Sequence, residues 1–283
     1  MKIKVITDST SDIPHDVAEK LNIRVVPIYV RFGENTYRDG IDISSDQFYS
    51  MLTSSAVHPA TSQPTPEDFT NTYKEYSDTY DGIVSIHISS RISGTYNSAV
   101  IAKQNLKNQC AIEIIDSKFN SAGLGLIVRA AARVAQSGAN FADVINEVNK
   151  AINEVSMLGM FATMKYLARS GRVNKAIAQV AGIIHVMPLL TFRDGEIIRA
   201  GLTRTVSNGM NRICNFVRQN IPINELIIVH SVVEDQAIKL KQQLNKYIEE
   251  EKISIYQLGA GLGANGGPGV LLAAIRRLNI SET

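Results

Sequence analysis

The chain is poor in the features that announce most chemistries. It holds two cysteines, Cys110 and Cys214, far apart in the sequence. Neither belongs to a metal or redox spacing, so both are expected to be structural thiols of a reducing compartment. A charge excess of either sign is missing too. Lys and Arg number 29 against 27 Asp and Glu, a net charge of +2, which makes no electrostatic case for nucleic acid as a partner. No run approaches the length of a membrane span. The opening MKIKVITDS has too short an apolar core for a signal peptide and reads as a strand. Internal repeats and a low-complexity linker are also lacking. With 45% hydrophobic and 20% charged residues, the 283-residue chain is expected to be soluble, cytoplasmic and long enough for two domains.

Motifs for common cofactors are equally scarce. The segment after the first strand, Asp8 to Pro14, contains no glycine, so it cannot be a dinucleotide fingerprint. Gly259-x-Gly261-x-Gly263 lies near the C-terminus with no βαβ unit after it, and there is no Walker loop. No His, Cys or Asp spacing suggests a metal. Asp8, Asp12, Asp39, Asp42 and Asp116 read as turn and cap carboxylates ahead of a cation site. No cofactor is expected. A serine hydrolase remains an alternative, with Ser93 as its nucleophile at a strand's end. Against it, the context is Ile-Ser-Gly in place of Gly-x-Ser-x-Gly, and a triad needs a histidine held by a carboxylate. His87 lies within the preceding strand, while His15, His58, His185 and His230 have no diagnostic neighbours.

What is present is a repeated grammar of buried strand followed by hydroxyl-rich loop. Ile83, Val84, Ile86 and Ile88 fit a strand covered on both faces. Ser89, Ser90, Ser93, Gly94 and Thr95 follow, then a helical stretch from Tyr96 to Leu106. Ligands of open α/β sheets bind past the carboxyl ends of strands, and Gly94 permits close approach to the backbone. Helix capping by Ser93 or Thr95 is the competing explanation. The pattern recurs at Asp8-Ser9-Thr10-Ser11-Asp12 and at Asp116-Ser117, while Thr61-Ser62-Gln63 sits just before a helix opened by Thr65-Pro66.

The βα alternation predicts an N-terminal, mainly parallel sheet with helices on both faces. Residues 1–156 form this expected domain. A second α/β domain, residues 157–283, is expected to carry a mixed or antiparallel sheet, because Asp194-Gly195 signals a hairpin between Val186–Thr191 and Glu196–Ala200. One strand is expected over Val25–Phe32, with Pro27 at an edge or bulge. Another is expected over Leu158–Met164. Helices are expected over 174–183, 206–218 and 235–248, and strands over 226–231 and 253–258.

Magnitudes constrain what hydroxyl loops can hold. A neutral hydrogen bond contributes about 1 kcal/mol net. A buried methylene contributes about 0.8 kcal/mol, so a long acyl chain offers about 10 kcal/mol gross. Hydroxyls alone would hold a small polar ligand weakly, whereas joined to an apolar tunnel they become an anchor that orients a head group.

Val5-Ile6-Thr7-Asp8-Ser9, Thr61-Ser62-Gln63-Pro64, Ile88-Ser89-Ser90-x-x-Ser93-Gly94-Thr95-Tyr96, Asp116-Ser117 and Ser170-Gly171-Arg172 together resemble the DegV family in order and spacing, over essentially the whole chain. The resemblance implies a non-catalytic two-domain protein that binds one long-chain fatty acid in a buried slot between its domains. It further implies presentation of the carboxyl group to a separate ATP-dependent fatty acid kinase for acyl-phosphate formation and phospholipid synthesis. Peripheral or transient contact with a membrane is compatible with that role. Carried over residue by residue, Thr61 and Ser93 would bond the carboxyl group, with Ser62 and the Gly94 amide beside them. Arg172 and Arg204 would dock an acidic partner. One departure stands out: where the family has His-x-Gly-Pro-Gly, this chain has Asn265-Gly266-Gly267-Pro268-Gly269. Asn265 can donate a hydrogen bond but cannot become a cation. Asn265→His is expected to retain lipid binding. Binding of another small carboxylate is a further alternative.

Overall fold

The computed structural model describes residues 1–106, 110–172 and 186–278. The helix expected over 174–183 lies outside the described residues, as does His185. In chain order the first half runs β1 (Ile3–Asp8), α1 (His15–Lys20), β2 (Ile23–Val26), β3 (Tyr29–Phe32), β4 (Asn35–Arg38), α2 (Ser45–Ser54), β5 (Ala60–Ser62), α3 (Pro66–Ser77), β6 (Gly82–His87), α4 (Thr95–Asn105), β7 (Ala111–Asp116), α5 (Ser121–Gln136) and α6 (Phe141–Glu154). The second half continues β8 (Val155–Met160), α7 (Lys165–Ser170), β9 (Met187–Arg193), β10 (Glu196–Thr203), α8 (Val206–Arg218), β11 (Ile223–His230), α9 (Glu234–Leu244), β12 (Ile253–Gln257), α10 (Ala260–Gly266) and β13 (Leu271–Arg277).

The described residues form three sheets. Strands β2-β1-β6-β7 form a parallel sheet in that order. Ile6 and Ile83 turn to one face, against Phe69 and Tyr73 of α3 and Ala99 of α4. Val5, Val84 and Ile86 turn to the other, against α5 and α6. Burial on both faces is why these strands read as unbroken apolar runs. A small antiparallel sheet, β4-β3-β5, carries Thr61 and Ser62 on its last strand. The third is a six-stranded mixed sheet ordered β10-β9-β8-β13-β11-β12, in which only β11 and β12 pair in parallel. The α/β class, with one parallel and one mixed sheet, is as the sequence predicts.

Helix α5 joins the two larger sheets. It packs on β1 and β6 on one side and on β8, β11 and β13 on the other. Nearly every residue from Ser121 to Ala132 is buried, and a helix apolar on all sides needs two walls. Arg129 and Arg133 pair with Glu225 of β11, Arg133 through two bonds of 2.9 Å. Arg276 of β13 similarly binds Glu154 at 2.8 Å and Glu147 at 2.7 Å, both on α6. Paired charges of this kind are tolerated in the interior because each is neutralised and hydrogen-bonded.

Several element boundaries differ from expectation. The strand expected over Val25–Phe32 breaks at Pro27 into β2, at the edge of the parallel sheet, and β3, at the centre of the small one. Proline has no N–H to continue a ladder, so the chain changes sheets there. The strand expected over 158–164 is β8, three residues earlier, and the basic segment after it is the helix α7. The glycine-rich end holds a short helix, α10, and then β13, which lies between β8 and β11. The hairpin is as predicted: Asp194 and Gly195 have φ of 50° and 81°, the positive pair that a two-residue turn requires.

Candidate functional site

From β1 the chain passes to β2 on one side, while β6 lies on the other. That reversal opens a crevice at the carboxyl ends of β1 and β6, the place where open α/β sheets bind ligands. Asp8, at the end of β1, is fully buried beneath it. One carboxylate oxygen accepts the Ile88 amide at 3.1 Å and faces His87 Nδ1 at 3.0 Å; the other accepts the Thr10 amide at 3.1 Å. His87 Nε2 meets Ser85 Oγ at 2.7 Å, and Tyr73 donates its hydroxyl to the same oxygen at 2.9 Å. This chain has the connectivity of a nucleophilic triad, but Ser85 is buried in the middle of β6 and lines neither cavity described below. Both nitrogens of His87 are occupied, so it is not bonded to Ser93. The array is a core network that fixes the strand ends.

Above it lies the hydroxyl loop. Ser93 Oγ meets Thr95 Oγ1 at 2.8 Å and accepts the Thr95 amide at 3.3 Å. Gly94 is the N-cap of α4 and makes no side-chain cap bond. The capping explanation therefore holds for one bond of Ser93, while the residue also lines a cavity. Gln63 lies flat against Gly94: a Cβ there would stand 2.5 Å from Gln63 Nε2. This close approach, which a Cβ would force the Gln63 amide to give up, brings the Thr61–Gln63 segment beside the Ser93 loop. No side-chain hydrogen bond engages Thr61 or Ser62 among the described residues. Ser89 Oγ donates to the Gly195 carbonyl at 2.7 Å, and Arg91 pairs with Glu196 at 3.0 Å. The β9–β10 hairpin tip is thereby docked onto the same loop.

Two adjoining cavities meet here. The polar one, with an empty volume of about 690 Å³, is lined by Thr61, Ser62, Gln63, Ser93 and Gly94. The second, of about 620 Å³, is walled by Met157 and Gly159 of β8, Leu190 and Phe192 of β9, and Val270 and Leu272 near β13. Asn120, Arg172, Ile197, Leu262 and Asn265 line both and form the neck between them. Hydroxyls in the second wall are already committed. Ser170 donates to the Leu167 carbonyl at 2.8 Å, Thr191 to the Met157 carbonyl at 2.7 Å and Ser121 to Asp12. The slot consequently offers a ligand hydrocarbon contact and little else, while the mouth offers donors.

Helix α10 carries the remaining part of the mouth. Gly261, Leu262 and Asn265 face the polar cavity, and Asn265 gives one amide hydrogen back to the Gly261 carbonyl at 3.2 Å, keeping a second to donate. Asp12 accepts the Gly259 amide at 2.8 Å; Asp39 accepts those of Ala260 and Gly261 at 3.1 and 3.2 Å. Burial pushes the Asp12 carboxyl up to about 8 and that of Asp39 up to about 6, against an ordinary value of 3.8, with hydrogen bonds only partly offsetting the loss of water.

Of the residues singled out from sequence, Thr61, Ser62, Ser93, Gly94 and Asn265 line one cavity. Arg172 stands at its neck, where Nη1 donates to the Ser170 carbonyl at 2.6 Å. Arg204 is exposed after β10 and lines neither cavity. Sequence reasoning missed Gln63, Asn120 and Leu262, and every residue of the slot wall. Gln63 could have been found from its place in the Thr-Ser-Gln-Pro motif; Asn120 closes the third strand-end loop, where the hydroxyl pattern already pointed.

Known proteins resemble this chain over nearly its whole length. The model of the DegV family (uncharacterised protein, DegV family) matches residues 2–276. A DegV domain-containing protein of Clostridium perfringens is 34% identical over 273 residues, 95% of this chain and 96% of its own. The protein DegV of Bacillus subtilis is 31% identical over 277 residues, 96% of this chain and 98% of its own. A fatty-acid-binding DegV family protein of Thermus thermophilus superposes with a TM-score of 0.91 at 30% identity, covering 98% of this chain and 100% of that one. The structure of DegV from B. subtilis, described as a fatty acid binding protein, gives 0.88 at 29% identity over 98% of this chain and 100% of its own.

Proposed function

This chain belongs to the DegV family, and from that premise we propose that it binds a single long-chain fatty acid, with the alkyl tail in the apolar slot and the carboxyl group at the mouth. The observation that carries the reading is the junction itself: a slot whose wall hydroxyls are all spoken for opens through one neck onto Thr61 and Ser62, unpartnered among the described residues, and onto Ser93. Fatty-acid binding in the B. subtilis and T. thermophilus relatives supports it. In this reading Thr61 and Ser93 bond the carboxyl oxygens, Ser62 and the Gly94 amide lie beside them, and Asn265 adds a donor from α10. Residues 1–156 and 157–283 act as the two domains that enclose the lipid.

The protein itself would perform no chemistry. A separate ATP-dependent kinase would phosphorylate the presented carboxyl group, whose oxygen attacks the γ-phosphorus and leaves ADP and an acyl phosphate. Arg172 and Arg204 dock an acidic surface of that partner in this account, and Arg172 also faces the ligand head at the neck. A hydrolase using Ser93 is disfavoured because His87 is fully engaged by Asp8 and Ser85. A short carboxylate would leave the slot unused. Mass spectrometry of an organic extract of the purified protein should recover an acid of 14 to 18 carbons, roughly one per chain, the length at which buried methylenes supply about 10 kcal/mol. Recovery of none would count against the reading.

A further inference from the structure

The start of α10 is fastened by the opposite half of the chain. The first amides of a helix have no partner within it. Here Asp12, from the turn after β1, takes Gly259, and Asp39, from the turn after β4, takes Ala260 and Gly261 through different oxygens. Ser121 Oγ braces Asp12 Oδ2 at 2.5 Å and Ser9 Oγ braces Asp39 Oδ2 at 2.9 Å. The approach is close: a Cβ on Gly259 would stand 3.0 Å from Asp12 Oδ1, and one on Gly261 would meet Ile28 at 2.2 Å. Further along, the same helix presents Leu262 and Asn265 to the neck.

We propose that Asp12 and Asp39 are positioning residues for the lipid mouth, holding α10 with Leu262 and Asn265 against the parallel-sheet loops, and that negative charge at this joint loosens it, so that lipid exchanges faster as pH rises. The inference rests on the fatty-acid reading. The titratable groups facing the pair are Asp8 at the end of β1, the two carboxylates themselves and the buried Tyr49 hydroxyl of α2. His87 is reached only through Asp8, and among the described residues no cation pairs with Asp12 or Asp39. Opening the joint hydrates both carboxylates and returns them toward ordinary acidity, so a bound proton favours the closed arrangement. Protonated Asp12 keeps every bond: Oδ1 still accepts Gly259, and the hydroxyl on Oδ2 donates to Ser121. Asp39 has both oxygens committed to accepting N–H groups. Asn at 12 therefore mimics the closed, protonated state, whereas Asn at 39 sets an amide hydrogen against the backbone.

The experiment measures release of cis-parinaric acid, a fluorescent fatty acid, from the unaltered protein, Asp12→Asn and Asp39→Asn between about pH 5.5 and about pH 9. Comparison at equal pH cancels the ionisation of the lipid. The ratio of release from the unaltered protein to release from Asp12→Asn should climb from the acid end by about tenfold per pH unit, the linkage of one proton, and level off near pH 8, where the closed carboxyl ionises. Asp39→Asn should release faster than both throughout. A ratio that stays flat with pH overturns the proposal. Hydrogen exchange of amides 259–261 in the lipid-free protein reads the same joint without any ligand. Faster exchange in Asp39→Asn, and an unaltered protein that loses protection relative to Asp12→Asn as pH rises, support the clamp; exchange unchanged in both variants overturns it. Failure of the unaltered protein to take up the probe sinks the fatty-acid reading and leaves the exchange result to decide the clamp. Should Asp39→Asn not fold by circular dichroism, Ser9→Ala removes one bond from Asp39 without touching charge and should shift exchange in the same direction.

Discussion

The mouth and the slot are built from the same chain by opposite means. The mouth is assembled from loops at the ends of parallel strands and from the end of a small antiparallel sheet, so its chemistry sits in hydroxyls and backbone amides. The slot is assembled from the faces of β8, β9 and β13, where alternate side chains of an antiparallel sheet point into one space. In the proposed reading one region orients the ligand and the other holds it. The difference follows from topology: parallel strands gather their loops at one edge, whereas adjacent antiparallel strands place a contiguous wall of side chains on one face.

If that division is right, closing the neck should matter most. Leu262→Trp fills the passage that both cavities share, and lipid uptake, read by calorimetry, should vanish while the melting temperature stays close to that of the parent. Next in size is tail length. Each added methylene should tighten binding about fourfold until the slot is full, after which affinity levels off. An affinity independent of chain length would erase the distinction between the regions. Smaller still is the loss of one mouth hydroxyl. Thr61→Val and Ser93→Ala should each weaken binding by about tenfold to a hundredfold, the worth of a hydrogen bond to a charged group. Thr61→Val should leave the melting temperature almost unchanged, and Ser93→Ala should lower it slightly by freeing the Thr95 amide.

The joint between the regions sets a pH dependence of stability. The folded Asp12 carboxyl sits near 8 against 3.8 in its ordinary state, so between these values the native protein holds a proton that the unfolded chain releases. Its contribution to stability is complete below the ordinary value and is lost as pH rises through the folded one. Asp39 adds the same sign over the narrower span up to about 6. Thermal melts of the unaltered protein should therefore decline from mildly acid to mildly alkaline pH more steeply than those of Asp12→Asn.

The same contrast explains what could be read from sequence. Ser93 was legible because strand-end loops concentrate polar residues after apolar runs, and that change of texture is local; Thr61 stood in a hydroxyl cluster ahead of a helix start, and Asn265 came only from the family resemblance. Met157, Leu190 and Phe192 carried no such mark: a residue that walls a cavity and one that fills a core look alike in a buried strand. Leu271–Arg277, the partner of both β8 and β11, went unread because Leu-Leu-Ala-Ala-Ile suits a helix as well as a strand, and only its neighbours decide. The helix α10 was hidden by its glycines, which are needed where Gly261 meets Ile28 and Gly263 meets Tyr49. Pro27, by contrast, marked its interruption in the sequence, although the change of sheet was visible only in three dimensions.

Binding of a fatty acid brominated at its terminal carbon would test the central claim directly, since the bromine can be located by anomalous scattering in a crystal of the complex. The account predicts the bromine among Met157, Leu190 and Leu272, with the carboxyl oxygens within hydrogen-bond reach of Thr61 and Ser93. Bromine at the hydroxyl loop, with the carboxyl group elsewhere, would contradict it.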